Sequence, residues 1–467
     1  MLIQVLHILE PWLPLALSCY IIYALSERLR CPTLRIPGPI LAKLTPLYYY
    51  YFTCIGTHHQ KCLEWHKKYG PVVLIAPNTV SINDVEVMRE IYGSIEYVKD
   101  PEFYKMFGEN QSSTFNTSDV AFHKKRVRQS IISHPIRLLT LHKKRIIAPA
   151  FSQAYFSSME PLVWQSGVSA LMHKFQKSAE SKAIVNLHSE FHYMAFDIIG
   201  ELAFGKSFHL IENADHPILG WIKDSDIRLT LFGLNAQRER RKMNIARRDI
   251  FQLMSEASDP DTGEKLTEME LLGESLSQIN TLTWAAYLLS KNPNATRKLT
   301  EELDGALPEN QAKILDSALQ QLPYLEAVIL ETFRCLPTVP IGLPRVVPKG
   351  GKNMKGYFLP GGTIVSVPIN CLHSDPKVFP DPERFQPERW LVEDTKLMKR
   401  HLIPFSYGSR SCIGRHIAMM ELRLTLASLY RRFNVQAVPN QIVEDRVRLL
   451  ILKPKETAFN VHLETRN

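Results

Sequence analysis

Cysteine is sparse in this sequence and is never spaced like paired metal ligands: seven cysteines are scattered over 467 residues. An odd number of scattered cysteines in a long chain does not indicate a disulfide scaffold, so we expect a reducing compartment. Acidic residues are outnumbered, 47 to 56, and the resulting charge of +9 favours an acidic partner or a membrane surface. The 45% hydrophobic content argues against a disordered chain and allows one large core or two domains.

The N-terminus is poor in charge. Residues 1–26 contain only Glu10 as a charged residue, and a basic turn with Arg28 and Arg30 follows. A cleaved signal peptide is the alternative, but no basic residue begins the chain and no small-x-small cleavage site is evident. We therefore expect a single transmembrane anchor with the following chain on the cytosolic side. The predicted organisation is an anchor at 1–26, a basic turn and Pro-rich hinge at 27–40, and a globular domain at 41–467.

The hydrophobic spacing predicts a mainly α-helical chain with small β-sheets, an α+β fold. A helix is expected at 62–70, ended by Gly70. Residues 71–75 and 79–82 are expected to form a hairpin around Pro77-Asn78, and strand-like residues return at 362–367. The chain between them is helical in pattern to about residue 335.

Residues 405–414 form a glycine-punctuated loop that reads Phe-x-x-Gly-x-Arg-x-Cys-x-Gly. The apolar spacing after Gly414 predicts a helix buried on most sides. Cys412 thus precedes a helix, where amide N–H groups favour its thiolate, as a metal ligand or a nucleophile requires. Gly408 and Gly414 allow close approach of the backbone, and Arg410 adds a cation able to pair with an anion. An inert core thiol is the alternative.

The loop as a whole resembles the haem-thiolate loop of the cytochrome P-450 monooxygenases. The resemblance implies the cytochrome P-450 fold, haem b as cofactor, and Cys412 as the axial thiolate that pushes electron density toward O–O cleavage. Arg345 and Arg410 are then expected to bind the haem propionates, with His373 as a weaker candidate. The cofactor-binding residues implied by the resemblance are Cys412, Arg410, Arg345, Phe405, Gly408, Gly414, His123 and Lys144, and the iron ligand is Cys412.

A second motif lies upstream of the loop. Glu331 and Arg334 are three positions apart in a helical run, where a carboxylate and a guanidinium share one face. A surface ion pair is the simpler interpretation. By resemblance, however, Glu331, Arg334 and Arg389 form a buried structural triad that holds the haem-thiolate region. Arg384, in a similar local sequence, is the alternative to Arg389.

The tetrapeptide His-Lys-Lys-Arg occurs twice, at 123–126 and at 142–145. Two solvent-exposed basic helix faces would explain it, whereas nucleic-acid binding is not expected because no aromatic residues are interleaved for stacking. In the family, a single basic helix here precedes a segment like residues 148–152, and His123 or Lys144 would then contact a haem propionate. We interpret residues 127–143 as a retained intron or a surface insertion, which transcript sequencing distinguishes.

One family motif is missing. Residues 271–284 replace the helix that normally carries an acidic residue followed by threonine, and Thr281 and Thr283 are only weak substitutes. General acid catalysis raises reaction rates by about 10²- to 10⁴-fold, so the loss of this motif should slow the scission of O₂. Three interpretations remain: a monooxygenase whose recorded sequence carries splicing errors, an O₂-independent haem-thiolate isomerase or dehydratase, and a haem-binding but inactive protein.

The resemblance also implies partners and a location. It predicts electrons from NADPH through a cytochrome reductase, a hydrophobic small-molecule substrate, a lipid bilayer, and no nucleic acid. It places a single-pass protein in the endoplasmic reticulum membrane with its catalytic domain in the cytosol. Residues 413–421 are similar to those of fungal microsomal members, which suggests secondary metabolism.

Overall fold

The computed structural model describes residues 32–105, 153–213, 278–307, 313–408, 411–412, 414–448 and 450–466. The predicted anchor at 1–26 and the beginning of the hinge lie outside these residues. So do the interpreted insertion at 127–143, the site candidates His123, Lys144 and Arg410, and the part of the 271–284 segment before Gln278.

Fifteen α-helices occur in the described ranges, and most pack into one helical body. They are α1 (Ile40–Leu44), α2 (Leu47–Cys54), α3 (His58–Tyr69), α4 (Val85–Gly93), α5 (Pro101–Lys105), α6 (Gln153–Val163), α7 (Ala170–Glu180), α8 (Leu187–Phe204), α9 (Gln278–Lys291), α10 (Pro293–Ala306), α11 (Asp316–Leu319), α12 (Pro323–Cys335), α13 (Ile369–His373), α14 (Lys396–His401) and α15 (Arg415–Arg432). A π-helical segment, Trp164–Ser169, joins α6 to α7. Short 3₁₀ turns occupy Pro32–Arg35 and Pro387–Leu391.

The strands found among the described residues are short and form four small sheets. They are β1 (Val72–Ala76), β2 (Thr79–Ile82), β3 (Val98–Lys99), β4 (Val185–Asn186), β5 (Arg345–Val346), β6 (Lys352–Met354), β7 (Tyr357–Leu359), β8 (Ile364–Ser366), β9 (Phe433–Ala437), β10 (Asp445–Arg448), β11 (Ile451–Pro454) and β12 (Asn460–Thr465). The largest sheet has the order β1-β2-β8-β5-β3, in which β2 and β8 are parallel and the other neighbours antiparallel. A three-stranded sheet, β4-β12-β9, and two hairpins, β6-β7 and β10-β11, complete the set.

The two largest hydrophobic clusters among the described residues follow the division into a helical part and a sheet part. The larger one is helical and is built mainly from α6 to α12 and α15, and the smaller one fills the space between the five-stranded sheet and α4. Helix α15 runs through the larger core, with Ala418 and ten of the eleven residues from Met420 to Tyr430 buried. Because that helix begins three residues after Cys412, the cysteine is attached to a deeply packed element.

The predicted α+β architecture agrees with these elements. The helix expected at 62–70 begins four residues earlier, at His58, and ends at Gly70, which has a positive φ of 96°. The expected hairpin is β1-β2, and the strand-like residues at 362–367 contain β8. The strands from β9 to β12 were not predicted. No helix in the described ranges is long and apolar enough to cross a membrane.

Candidate functional site

Cys412 is exposed and lies three residues before the first residue of α15. Its backbone N–H donates a hydrogen bond to the carbonyl oxygen of Phe405 at 2.8 Å, which closes the loop on itself. The Ser411 N–H similarly donates to the Gly408 carbonyl at 3.1 Å. The cysteine is therefore carried by a folded turn at the beginning of an 18-residue helix, where the helix dipole favours its anionic form.

The middle of the loop is pressed against α4. Gly408 has a φ of +74°, and a Cβ added there would lie 2.5 Å from the carbonyl oxygen of Tyr92. Only glycine meets both conditions without strain. Next to it in the sequence is Tyr407, and the guanidinium carbon of Arg89 lies over the Tyr407 ring, 4.6 Å from the ring centroid. The glycine thus allows the loop to lie close to α4, and its role toward a haem stays a prediction.

The start of the loop is held by α12 and α13. The ring of Phe405 packs edge-on against Phe333, with 5.3 Å between centroids. Two residues before Phe405, the backbone N–H of Ile403 donates to Nε2 of His373 at 3.1 Å, and Nδ1 of that ring bonds the Phe333 carbonyl at 3.1 Å. These contacts connect the cysteine loop to the helix that carries Glu331 and Arg334.

His373 is therefore not a propionate-binding residue, and that expectation was wrong. The Phe333 carbonyl can only accept a hydrogen bond, so Nδ1 carries the proton and Nε2 is left as an acceptor. Both ring nitrogens are used by the backbone. Complete burial lowers the pKa of His373 to about 3, so the ring is neutral and cannot attract a carboxylate.

Glu331 is the centre of a buried cluster of donors. Its Oε1 accepts from Nη2 of Arg334 at 2.9 Å, from Nε of Arg389 at 3.0 Å and from the N–H of Gln386 at 2.9 Å. Its Oε2 accepts from Nε of Arg334 and from the indole N–H of Trp390, both at 2.9 Å. Glu331 is 0% exposed, which makes these bonds essential for keeping the carboxylate charged.

The remaining donors of the two arginines tie down the loop from 380 to 384. Nη1 of Arg334 donates to the carbonyls of His373 and Pro382, at 3.2 and 2.7 Å. Nη1 of Arg389 donates to the Pro380 carbonyl at 3.1 Å. Burial is the largest single effect on Arg334 and opposes its charge, but the hydrogen bond to Glu331 and the nearby acidic groups together outweigh it and raise the guanidinium pKa. Arg384 contributes only its carbonyl and is exposed, so Arg389 is the arginine of this cluster.

Arg345 is buried between two tyrosines. Its Nη1 donates to the hydroxyl of Tyr104 and to the carbonyl of Pro344, both at 3.0 Å. The guanidinium also lies 5.1 Å from the ring centroid of Tyr92. Its role toward a propionate stays a prediction, as do the roles of Arg410, His123 and Lys144, which lie outside the described residues.

Thr281 and Thr283 are buried in α9, and their hydroxyls bond other protein groups. The Thr281 Oγ1 lies 2.9 Å from Oγ1 of Thr338. The Thr283 hydroxyl donates to the Ile279 carbonyl at 3.2 Å and lies 3.3 Å from Nδ1 of His188. These contacts explain the two threonines as parts of the core, and a catalytic role for either remains a prediction.

Comparison with known proteins identifies the family. The family model described as cytochrome P-450 matches residues 39–232 and 227–461. The chain belongs to the cytochrome P-450 family. It is 28% identical to the cytochrome P-450 monooxygenase FUS8 of Gibberella fujikuroi, over 90% of this chain and 86% of that protein. It is 30% identical to the monooxygenase tpeC of Talaromyces stipitatus, over 88% of this chain and 85% of that protein. It is also 30% identical to the monooxygenase cpaH of Aspergillus oryzae, over 87% of this chain and 84% of that protein.

As a cytochrome P-450, the chain is an oxidoreductase of the monooxygenase class, and the family implies haem with a cysteine thiolate ligand. The cysteine loop suits that group because it offers one soft donor, exposed at a helix N-terminus. The space around Gly414, two residues after Cys412, is also largely empty. Among the described residues, a Cβ added to Gly414 would meet only Cγ2 of Ile417 at 3.8 Å and Sγ of Cys412 at 3.9 Å.

Several supporting residues were missed by the sequence analysis. Trp390 and the Gln386 N–H complete the Glu331 cluster, and His373 connects α13 to the cysteine loop. Trp390 lies next to the predicted Arg389, so its position was a signal available in the sequence. The role of His373 was not, since it depends on which backbone groups are brought to its two ring nitrogens.

Proposed function

We propose that this cytochrome P-450 is a membrane-bound monooxygenase that hydroxylates, or otherwise oxidises, a hydrophobic small molecule in fungal secondary metabolism. It uses haem b, O₂ and electrons that NADPH supplies through a cytochrome reductase. The proposal rests on the position of Cys412. This cysteine is exposed just before the buried helix α15, and its loop is held in place through Phe405 and His373.

Haem bound to a cysteine thiolate would supply the activation of O₂, and the chain stabilises and positions the thiolate. The N-terminus of α15 favours the thiolate form of Cys412. The contacts of Phe405 with Phe333, and of Ile403 with His373, hold the loop against α12 and α13. The Glu331 cluster then fixes α12 to the loop from 380 to 390. These contacts position the part of the site that carries Cys412, which is how preorganised sites limit reorganisation.

Attachment to the membrane is supported by an apolar surface near the predicted anchor. Helices α1 and α2 expose large hydrophobic side chains that a globular surface would usually bury. They are Ile40, Leu41, Leu44, Leu47, Tyr50 and Tyr51, exposed by 76%, 55%, 42%, 70%, 56% and 60%. Such a surface fits a lipid bilayer on which the domain rests, with residues 1–26 as the anchor in the endoplasmic reticulum and the catalytic domain in the cytosol.

Docking of the reductase is supported by basic residues that flank the cysteine in the sequence. Lys396, Lys399 and Arg400 lie on α14, shortly before the cysteine loop, and Arg415 begins α15; all four are exposed. A basic surface attracts a partner with an acidic face and raises the rate of association. We therefore assign the electron donor to this side of the molecule.

The proposal is tested with the expressed full-length chain. We expect the dithionite-reduced enzyme to bind CO with the Soret position of a thiolate-ligated haem, and the Cys412→Ser variant to lose that band. Cys54→Ser, at another exposed cysteine, is the control that keeps it. NADPH-dependent turnover of hydrophobic compounds with added reductase then tests the reaction. A thiolate Soret band without any turnover would count against a monooxygenase.

A second candidate is an O₂-independent haem-thiolate isomerase or dehydratase. It is favoured by one observation, that the hydroxyls of Thr281 and Thr283 bond groups of the protein core. Such an enzyme needs neither O₂ nor the reductase. Conversion of a fatty-acid hydroperoxide under anaerobic conditions without NADPH would support it. An intact thiolate Soret band with neither reaction would indicate a haem-binding protein that has lost its activity.

A further inference from the structure

A group of thiol and imidazole side chains lies where α3 contacts α13. Cys62 and His66 are four residues apart on α3, which places them on one face of the helix. Cys371, on α13, reaches the same place from a distant part of the chain. The two sulfur atoms and a ring nitrogen of His66 all lie within 4.8 Å of one another, and the three residues are buried.

The orientation of His66 suits a ligand. Its Nδ1 lies 2.9 Å from the carbonyl oxygen of Gly70, which can only accept, so Nδ1 carries the proton. Nε2 is then the unprotonated nitrogen. It lies 2.8 Å from Oγ of Ser81, and that hydroxyl lies 3.3 Å from Sγ of Cys62. A carbonyl that bonds the far nitrogen of an imidazole is the usual support of a metal-binding histidine, because it fixes both tautomer and ring direction.

There is also room for a fourth ligand. Cys62 and Ser81 line a cavity of about 20 Å³, which holds one water molecule. His58, one helical turn before Cys62, lines the same cavity. It is 7% exposed, and its Nδ1 has no hydrogen-bond partner among the described residues. An unpartnered imidazole nitrogen this deeply buried is costly unless something bonds it, and a water molecule in the cavity would give it a partner.

We propose that Cys62, His66 and Cys371 bind one Zn²⁺ ion, with a water molecule in the adjoining cavity as the fourth ligand. Two thiolates and an imidazole are the donors that this borderline-soft cation prefers, and four-coordinate zinc sites accept this combination. Zinc–sulfur and zinc–nitrogen bonds of about 2.3 and 2.0 Å give ligand separations compatible with the observed group. Binding releases the protons of the two thiols to solvent.

Such an ion would connect two parts of the chain that are 309 positions apart, as the residue numbers show. It would fix α13 to α3 and so fix the backbone two residues before His373, whose ring holds the cysteine loop. Its three protein ligands are not among the residues assigned to haem, and its occupancy is measured without any reference to enzyme activity.

The first test is the zinc content of the untagged wild-type enzyme, expressed in medium containing zinc and dialysed against a weak chelator. We expect one zinc ion per chain, determined by inductively coupled plasma mass spectrometry. X-ray absorption at the zinc edge should show two sulfur neighbours, one nitrogen neighbour and one oxygen neighbour. Zinc at background level, or a shell of oxygen atoms, would overturn the proposal.

The second test uses variants and a rival chemistry. Cys371→Ser should lose most of the zinc, whereas Cys54→Ser, at an exposed cysteine, should keep it. Should Cys371→Ser fail to fold, His66→Gln gives the same comparison from α3.

The alternative to a metal site is a disulfide between Cys62 and Cys371. Peptide mapping without reductant detects it, and a Cys62–Cys371 peptide in the zinc-free wild-type enzyme would sink the metal site.

Discussion

Nε of Arg389 donates to Oε1 of Glu331 at 3.0 Å, across 58 positions of the sequence and with the carboxylate 0% exposed. Arg334 donates to the same carboxylate from the same helix. Two guanidinium groups therefore share one buried anion, and the cluster is stable only while all three charges are present. Because the cluster joins α12 to the loop from 380 to 390, it supports the part of the site that carries Cys412.

The cluster predicts a large effect of Glu331→Gln. An amide cannot neutralise two buried guanidinium groups, so we expect a loss of about 3 to 5 kcal/mol in the free energy of unfolding. Urea unfolding measures it, and the haem content after purification should fall in parallel. Glu301→Gln is the matched control because it breaks the exposed pair with Arg297, which is expected to contribute at most about 1 kcal/mol. Equal losses in the two variants would contradict the structural role of the cluster.

Gly408→Ala tests the contact between the cysteine loop and α4. The new methyl group would meet the Tyr92 carbonyl at 2.5 Å on a backbone with φ of +74°, so we expect a loss of roughly 1 to 3 kcal/mol. The thiolate Soret band should decrease, since the loop that carries Cys412 must move. Gly305→Ala, in α10 with no atom within 4 Å of the added Cβ, should instead be neutral or stabilising by up to about 1 kcal/mol. A fully retained Soret band in Gly408→Ala would show that this contact does not position the loop.

His188 predicts a pH dependence of stability. Burial, with His192 and Lys453 nearby, lowers the pKa of this imidazole to about 2, so the folded protein keeps it neutral. The unfolded chain binds a proton below its ordinary pKa, and stability should therefore fall as the pH is lowered from 6.5, by about 1.4 kcal/mol per pH unit for this group.

The test is His188→Asn, which keeps a polar group near Thr283 but does not titrate. Its free energy of unfolding should fall less steeply with decreasing pH than that of the wild type, as measured by urea unfolding from pH 7 to pH 5. His173→Asn, at an exposed position on α7, is the control for the loss of a histidine. Parallel pH profiles for the wild type and His188→Asn would refute the prediction.

The basic surface predicts an effect on electron transfer. We expect Lys399→Glu and Arg415→Glu each to raise the apparent KM for the reductase by about threefold to tenfold, because an acidic partner is then repelled. The effect should diminish as ionic strength increases. Lys177→Glu, on α7, is the charge-matched control. An unchanged KM in both variants would place the docking surface elsewhere.

The local part of the fold followed from the sequence. The helix that ends at Gly70, the hairpin after it and the buried helix after Cys412 were predicted because each depends on periodicity and turn residues within a short stretch. Arg389 was preferred to Arg384 only through resemblance, and the exposure of Arg384 supplies the physical reason. His373 was misjudged, since a histidine near a cofactor motif does not reveal which backbone groups will occupy its nitrogens.

The sequence by itself determined the family and the three members of the Glu331 cluster, and it predicted Cys412 as the haem ligand, because motifs record which chemical groups must meet. Only the tertiary structure decided how those groups are held, through Trp390, His373 and the close approach of Gly408 to α4. It also brought Cys371 to Cys62 and His66, although the spacing of the cysteines had given no indication of a second metal site. The physical reason is that a contact between distant residues depends on how helices and strands pack, which no short pattern in the chain records.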